Sequence, residues 1–379
     1  MESDQPTLDV LTRRLEYDTV GRVRNQYTQP IPVEFGTIFG YDGLNRLVRD
    51  TMGMIESDQC TFDSNNGYEC PQPSVDSVRS YAYDSGGNLT RDSLYRVYNG
   101  TYTLATGSYN AGNRITAFNG CSYQTDYDGN VTQRSGCGST INFYWSSENR
   151  LDSMSVGGQK VRHYHDAYGR LVKRDVYGTV KYYWWDGANL YAEINSSGGK
   201  LAEYSYYPGL DDLHAVVLGG SNTPYFAHVD ALGNVIGLVD DAKLLKRRYQ
   251  YDDWGKLVWD WDGLGFSNTD RARFKGALWM GPEVDFYYMR NRWYETHSGR
   301  FLSEDPIGLS GGVNPYVFTG NNPVSGADPT GLSCVQVTDT QMNCSGSFDW
   351  SDIYTFLEDA EEWYFAGVGG VGGCNEINA

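Results

Sequence analysis

Histidine is scarce, five in 379 residues, and no Cys-x-x-Cys pair occurs. No linear metal-binding signature remains, so neither a metal nor a cofactor is expected. Basic charge is in deficit: 48 Asp and Glu against 30 Lys and Arg leave a net −18. A nucleic-acid binder needs a basic footprint, and none is present. The densest basic stretch, KLLKRRYQY at 243–251, reads as a solvated sheet face. No apolar run approaches the ~20 residues that cross a bilayer as a helix. The opening residues, MESDQPTLDVLTRRLEYD, contain no apolar stretch of a secretory signal.

Glycine and tyrosine are abundant, 45 and 31 residues. Tyr, Trp and Thr favour strands, and frequent Gly with Asn or Asp favours tight turns, so the chain reads as all-β. Its length permits a sizeable core. Six of the seven cysteines can pair locally, Cys60 with Cys70, Cys121 with Cys137 and Cys334 with Cys344, while Cys374 is left over. Such pairs suit an oxidising destination. His163 and His165 share one face of a strand and read as a variant of the repeat rather than a metal pair.

That repeat recurs about every 20 residues: YDTVGRV from Tyr17, YDGLNRLV from Tyr41, YDSGGNLT from Tyr83, YNAGNRIT from Tyr109 and YDGNVT from Tyr127. WSSENRL, HDAYGRLV, WDGANLY, VDALGNVI and YDDWGKLV follow, from Trp145, His165, Trp185, Val229 and Tyr251. YYPGLDD at 206–212 fills one long gap as a degraded copy. Each unit predicts a strand, a turn capped by Asp, a Gly or Asn at positive φ, and a second strand. One hairpin alone is marginal; hairpins set side by side make a continuous antiparallel sheet. Residues 52–80, with Cys60 and Cys70, read as an excursion loop.

After residue 260 the pattern changes. A dense aromatic block, FYYMRNRWYETHSGRF, leads into two Asp-Pro-x-Gly units, DPIG at 305–308 and DPTG at 328–331. Pro and Gly shape a turn that presents each Asp in a fixed direction. On spacing alone these are turn residues.

The units resemble the YD repeats of the RHS (rearrangement hotspot) family, and residues 286–332 resemble the RHS-repeat-associated core that closes those proteins. The resemblance implies a strip of YD-repeat hairpins over residues 1–260, wound as a curved sheet into a shell. A core plug, residues 261–332, spirals inward, and a variable segment occupies 333–379. It also implies a single-turnover aspartyl autoprotease in the core, with Asp305 and Asp328 as the catalytic pair and Arg292 as the required arginine. The cut falls between Leu332 and Ser333. The released segment is cargo held in the shell, a toxin in many members. Partners implied are a further RHS chain, a secretion-system component and an immunity protein. The implied destination is the cell surface or outside, by a specialised route. Fully closed family shells are longer than this chain, so ten to twelve units are expected to form part of a shell. WYETHSGR replaces the family's more usual Tyr-Tyr-Asp-Pro-type segment.

The tail carries eight Asp or Glu and no Lys or Arg. Ile353, Phe356, Leu357 and Tyr364 have the spacing of one amphipathic helix. No nuclease or transferase constellation is visible there. Two other readings stay open: a non-enzymatic surface protein whose Tyr-rich sheet binds carbohydrate or protein, and a displaced fragment of a larger gene.

Overall fold

The computed structural model describes residues 12–332 except 30–32, 57–60, 64–66, 70–73, 220–221, 231–232, 265–270 and 283, and beyond them 335–338 and 341–343. Twenty-two strands form one sheet. From Thr12–Tyr17 to Leu257–Asp262 each strand pairs antiparallel with the next, as hairpins in series require. The exception is a small separate hairpin, Thr61–Asp63 with Gly67–Glu69. Among the described residues no helix is long and apolar enough to cross a membrane.

The repeat's turn is one structure used many times. In the unit at Asp42, Oδ1 accepts from the N–H groups of Leu44 and Arg46, and Asn45 takes φ 63°. Asp18, Asp84, Asp166, Asp230 and Asp252 cap their turns in the same way. The residue after the turn is buried at Val23, Leu47, Leu89, Val131, Leu171 and Val235, and half-buried at Leu257 after the Asp252 turn. Each such side chain contributes roughly 1.5–3 kcal/mol.

A register shift accompanies the turns, as between Gly40 and Tyr41 and between Tyr164 and His165. The extra residue of each bulge is the one after the buried residue, Arg24, Val48 or Val172, and the buried residue's own backbone groups find partners outside its hairpin. Its carbonyl accepts from the next unit's aromatic: Val23 from Tyr41 OH, Leu47 from Tyr83 OH, Leu89 from Tyr109 OH, Val131 from Trp145 Nε1, Leu171 from Trp185 Nε1 and Val235 from Tyr251 OH. Its N–H turns to the plug: Val23 to Ser325 Oγ, Val131 to the Leu302 carbonyl, Leu171 to Tyr288 OH and Val235 to the Arg273 carbonyl. The aromatic of the YD pair is therefore both a packing group and a donor that satisfies a buried carbonyl.

The strip curls on itself. Strand Ser74–Tyr83 meets the turn at 252–255, with Arg79 Nη1 at 3.1 Å from Asp252 and Tyr81 edge-on to Trp254. Inside lies the plug, whose four short strands are Leu278–Trp279, Phe286–Met289, Arg292–Glu295 and Arg300–Phe301. Its aromatic block is nearly all buried, and Phe274, Tyr287, Tyr294, Phe301 and Phe318 make one cluster.

Three readings of the sequence need correction. Residues 52–80 are not a loop throughout: Leu47–Glu56 and Ser74–Tyr83 are long paired strands that enter it from both sides. In KLLKRRYQY, Arg247 is 1% exposed and bonds Asp262, because alternate residues of that strand face the core. The unit at 125–131 is framed two residues earlier than its Tyr127–Asp128 suggests. Asp126 caps the turn, Thr125 takes the aromatic's place, and Tyr127 is fully exposed at the tip. YYPGLDD does hold a unit's place, with Tyr206 at a register shift. Cys121 and Cys137 are joined. Cys60, Cys70, Cys334, Cys344, Cys374, Ser333 and the helix read at 349–365 lie outside the described residues.

Candidate functional site

The two Asp-Pro-x-Gly units fold alike. In each, the Gly N–H donates to the Asp carbonyl, 2.9 Å for Gly308 to Asp305 and 3.3 Å for Gly331 to Asp328. Each Gly is left-handed, φ 61° and 69°. Pro restricts φ at the second position and Gly supplies the reversed φ at the fourth. The turns aim both Asp side chains at one point.

That point is Arg292. Its Nη2 lies 2.9 Å from Asp305 Oδ2 and 3.0 Å from Asp328 Oδ2, and all three side chains have no solvent contact. Arg292 projects from the plug strand Arg292–Glu295 onto the face of Phe301, 3.6 Å from the ring centre. Nη1 donates to the Pro315 carbonyl at 3.0 Å and Nε donates to the Gly331 carbonyl. Burial draws the guanidinium pKa down, against the two carboxylates that draw it up. Two carboxylates share one cation in a dry place, so full ionisation leaves one negative charge uncompensated.

The chain leaving the second motif is held tightly. The Gly331–Leu332 peptide is gripped at both ends, its carbonyl by Arg292 Nε and its N–H by Asp328 Oδ1 at 2.9 Å. The motif itself is anchored by Arg290, which makes two bonds to Asp211, 2.7 and 2.8 Å, and one to the Pro329 carbonyl. Asn291 Nδ2 donates to the Thr330 carbonyl. Sequence reasoning finds Arg292, Asp305 and Asp328, and the structure brings all three together. It misses Arg290, Asp211 and Phe301. The one available signal was the extra Asp of YYPGLDD, which the repeat does not need.

His163 and His165 belong elsewhere. His163 packs against Trp293, ring centres 4.5 Å apart, and Arg174 Nε donates to its Nε2 at 3.4 Å. Burial and that cation hold His163 well below the usual imidazole range. Burial draws His165 down to about 4.

Comparison with known proteins follows the geometry. A family model described as Teneurin YD-shell matches residues 68–324. The tRNA3(Ser)-specific nuclease WapA of Bacillus spizizenii is 29% identical over 261 residues, covering 67% of this chain and 11% of its own length. The double-stranded DNA deaminase toxin A of Burkholderia cenocepacia is 26% identical over 363 residues, covering 85% of this chain and 24% of its own. Among solved structures, the Tc holotoxin pore of Photorhabdus luminescens aligns with a TM-score of 0.67 at 18% identity, over 88% of this chain and 17% of that one. The chain thus spans a quarter or less of the length of these relatives, and the structural likeness speaks to fold alone.

Proposed function

Because the chain belongs to the teneurin YD-shell family, we propose that it is the closing part of a bacterial toxin shell that cuts itself once, after Leu332, and holds the segment from Ser333 as cargo. One observation carries this reading: Asp305 and Asp328 converge on a single nitrogen of Arg292 in a fully buried site, with Leu332 bonded to Asp328. Aspartyl hydrolysis needs one carboxylate to activate water and one carboxyl to donate a proton. The charge count around Arg292 suits that division. Arg292 orients both groups, and its Nε holds the Gly331 carbonyl just before the scissile peptide. Attack of water on the Leu332 carbonyl, with proton delivery to the Ser333 nitrogen, releases a new carboxylate and a new amine. An immunity protein, a further shell chain and a specialised export route are the partners this reading carries.

Intact mass spectrometry of the denatured wild-type chain beside Asp305→Asn and Asp328→Asn tests it. Two fragments meeting at Leu332 and Ser333 in the wild type only are expected. One uncut mass in all three leaves the triad as a structural clamp.

A further inference from the structure

The hairpin of strands Cys121–Thr125 and Val131–Ser135 is closed by the bond between Cys121 and Cys137. This hairpin is also the part of the strip bound to the plug turn that follows Glu295. Tyr123 OH donates to Glu295 Oε2 at 2.9 Å, and Arg134 Nη1 donates to Oε1 at 2.7 Å. His297 sits in that turn. Its Nε2 lies 3.1 Å from Cys121 Sγ, and its ring is edge-on to Phe118.

The two sulfurs and the imidazole nitrogen all lie within 4.8 Å of one another. Zinc with Zn–S near 2.3 Å and Zn–N near 2.0 Å sets its ligands roughly 3.3–3.8 Å apart. Small rotations of the two cysteine side chains close that difference once the sulfurs are no longer bonded. A cavity of about 130 Å³ opens beside Cys137 and His297, lined also by Arg134, Lys256 and Asp285. It leaves room for water at a fourth position. Of the two cations beside it, Arg134 is already paired with Glu295.

We propose that, when the disulfide is reduced, Cys121 Sγ, Cys137 Sγ and His297 Nε2 bind one soft divalent cation of the zinc class, which ties the strip to the plug. A dithiol reductant supplies two electrons and two protons, the disulfide becomes two thiols, and the reductant becomes a disulfide. Cation binding then releases the two thiol protons to solvent, and two thiolates neutralise the bound 2+ charge. The site is a counterpart of the disulfide: the same two sulfurs hold either each other or the metal. Linear motif reading passes over it because the third ligand comes from 160 residues beyond Cys137.

The test titrates Zn²⁺ into the full chain, reduced by a phosphine, against a chromophoric chelator. One tight equivalent is expected in the reduced protein and none in the oxidised one. Cys121→Ser with Cys137→Ser removes that equivalent, though five other cysteines remain. His297→Gln weakens it about tenfold or more. Co²⁺ gives a thiolate charge-transfer band in the reduced wild type that the double cysteine variant loses and that His297→Gln forms only at higher Co²⁺, while the far-ultraviolet dichroism of both stays unchanged. Equal binding by reduced and oxidised protein, or binding unmoved by these substitutions, overturns the proposal.

Discussion

Tyr81 and Asp253, 172 residues apart, are joined by a 2.6 Å hydrogen bond from the phenol to Oδ2. The bond closes an early unit of the strip onto a late one. Asp253 also faces Asp50, Arg79 and the Asp252 carboxylate. Burial, with the Asp50 charge, holds Asp253 well above the usual carboxylate range, and burial likewise raises Asp50.

A carboxyl raised in the fold stabilises it below the unfolded value of about 3.9, and that stability is lost as pH climbs through the folded value. Asp253→Asn keeps the shape without the charge. It is expected to raise the unfolding free energy, read from urea titrations, by about 1–2 kcal/mol at pH 8 and to change it little at pH 4. A larger gain at pH 4 than at pH 8 contradicts this account.

Lys275 is 4% exposed, and among the described residues its Nζ has no hydrogen-bond partner. Burial draws its pKa down to about 8. Stability is therefore expected to rise with pH between about 8 and 10.5, as the unfolded chain gives up its advantage in binding the proton. Lys275→Met removes that slope and stabilises the fold at pH 7 by up to roughly 3 kcal/mol. Denaturant midpoints at pH 7 and pH 9.5 check both statements.

The aromatic staple is testable within one unit. Tyr83→Phe keeps the ring but strands the buried Leu47 carbonyl, at a cost of about 1–2 kcal/mol. Tyr98→Phe, on a side chain 75% exposed, is expected to change the unfolding free energy by less than about 0.5 kcal/mol. Equal effects at the two positions argue that the hydroxyl contributes nothing.

The two motif glycines predict unequal outcomes. Both are left-handed, yet a Cβ on Gly331 would meet the Met289 carbonyl at 2.5 Å, while one on Gly308 meets nothing within 4 Å. Gly308→Ala is expected to cost about 1 kcal/mol, and Gly331→Ala distinctly more. If the proposed cut occurs, Gly331→Ala also lowers the cleaved fraction seen by mass spectrometry, because it displaces the peptide that Arg292 holds.

The repeat was legible wherever an aromatic preceded the capping Asp, as at Tyr41–Asp42. The same turn hydrogen bonds recur at Asn195 and Asp240, which join one unit to the next at the strands' other ends and follow Ile194 and Val239, so the aromatic-Asp frame did not mark them. It was misplaced at Tyr127, where a second Asp stood in the right local context. The triad was different. Spacing alone left Asp305 and Asp328 as turn residues, and only the family resemblance gave Arg292 a part. Their convergence depends on Pro315 and Gly331 carbonyls, which carry no side-chain signal. The Arg290–Asp211 clamp joins the plug to a degraded repeat unit, so neither partner stood in a recognisable frame.

The enclosure of Arg292 limits whom the site can serve. With Phe301 on one side and the Pro315 and Gly331 carbonyls around it, no foreign peptide can reach its two carboxylates. Access belongs to the strand that is already there, and it arises only after residues 292, 305 and 328 have all come to rest. Any chemistry at this triad is confined to the molecule that built it.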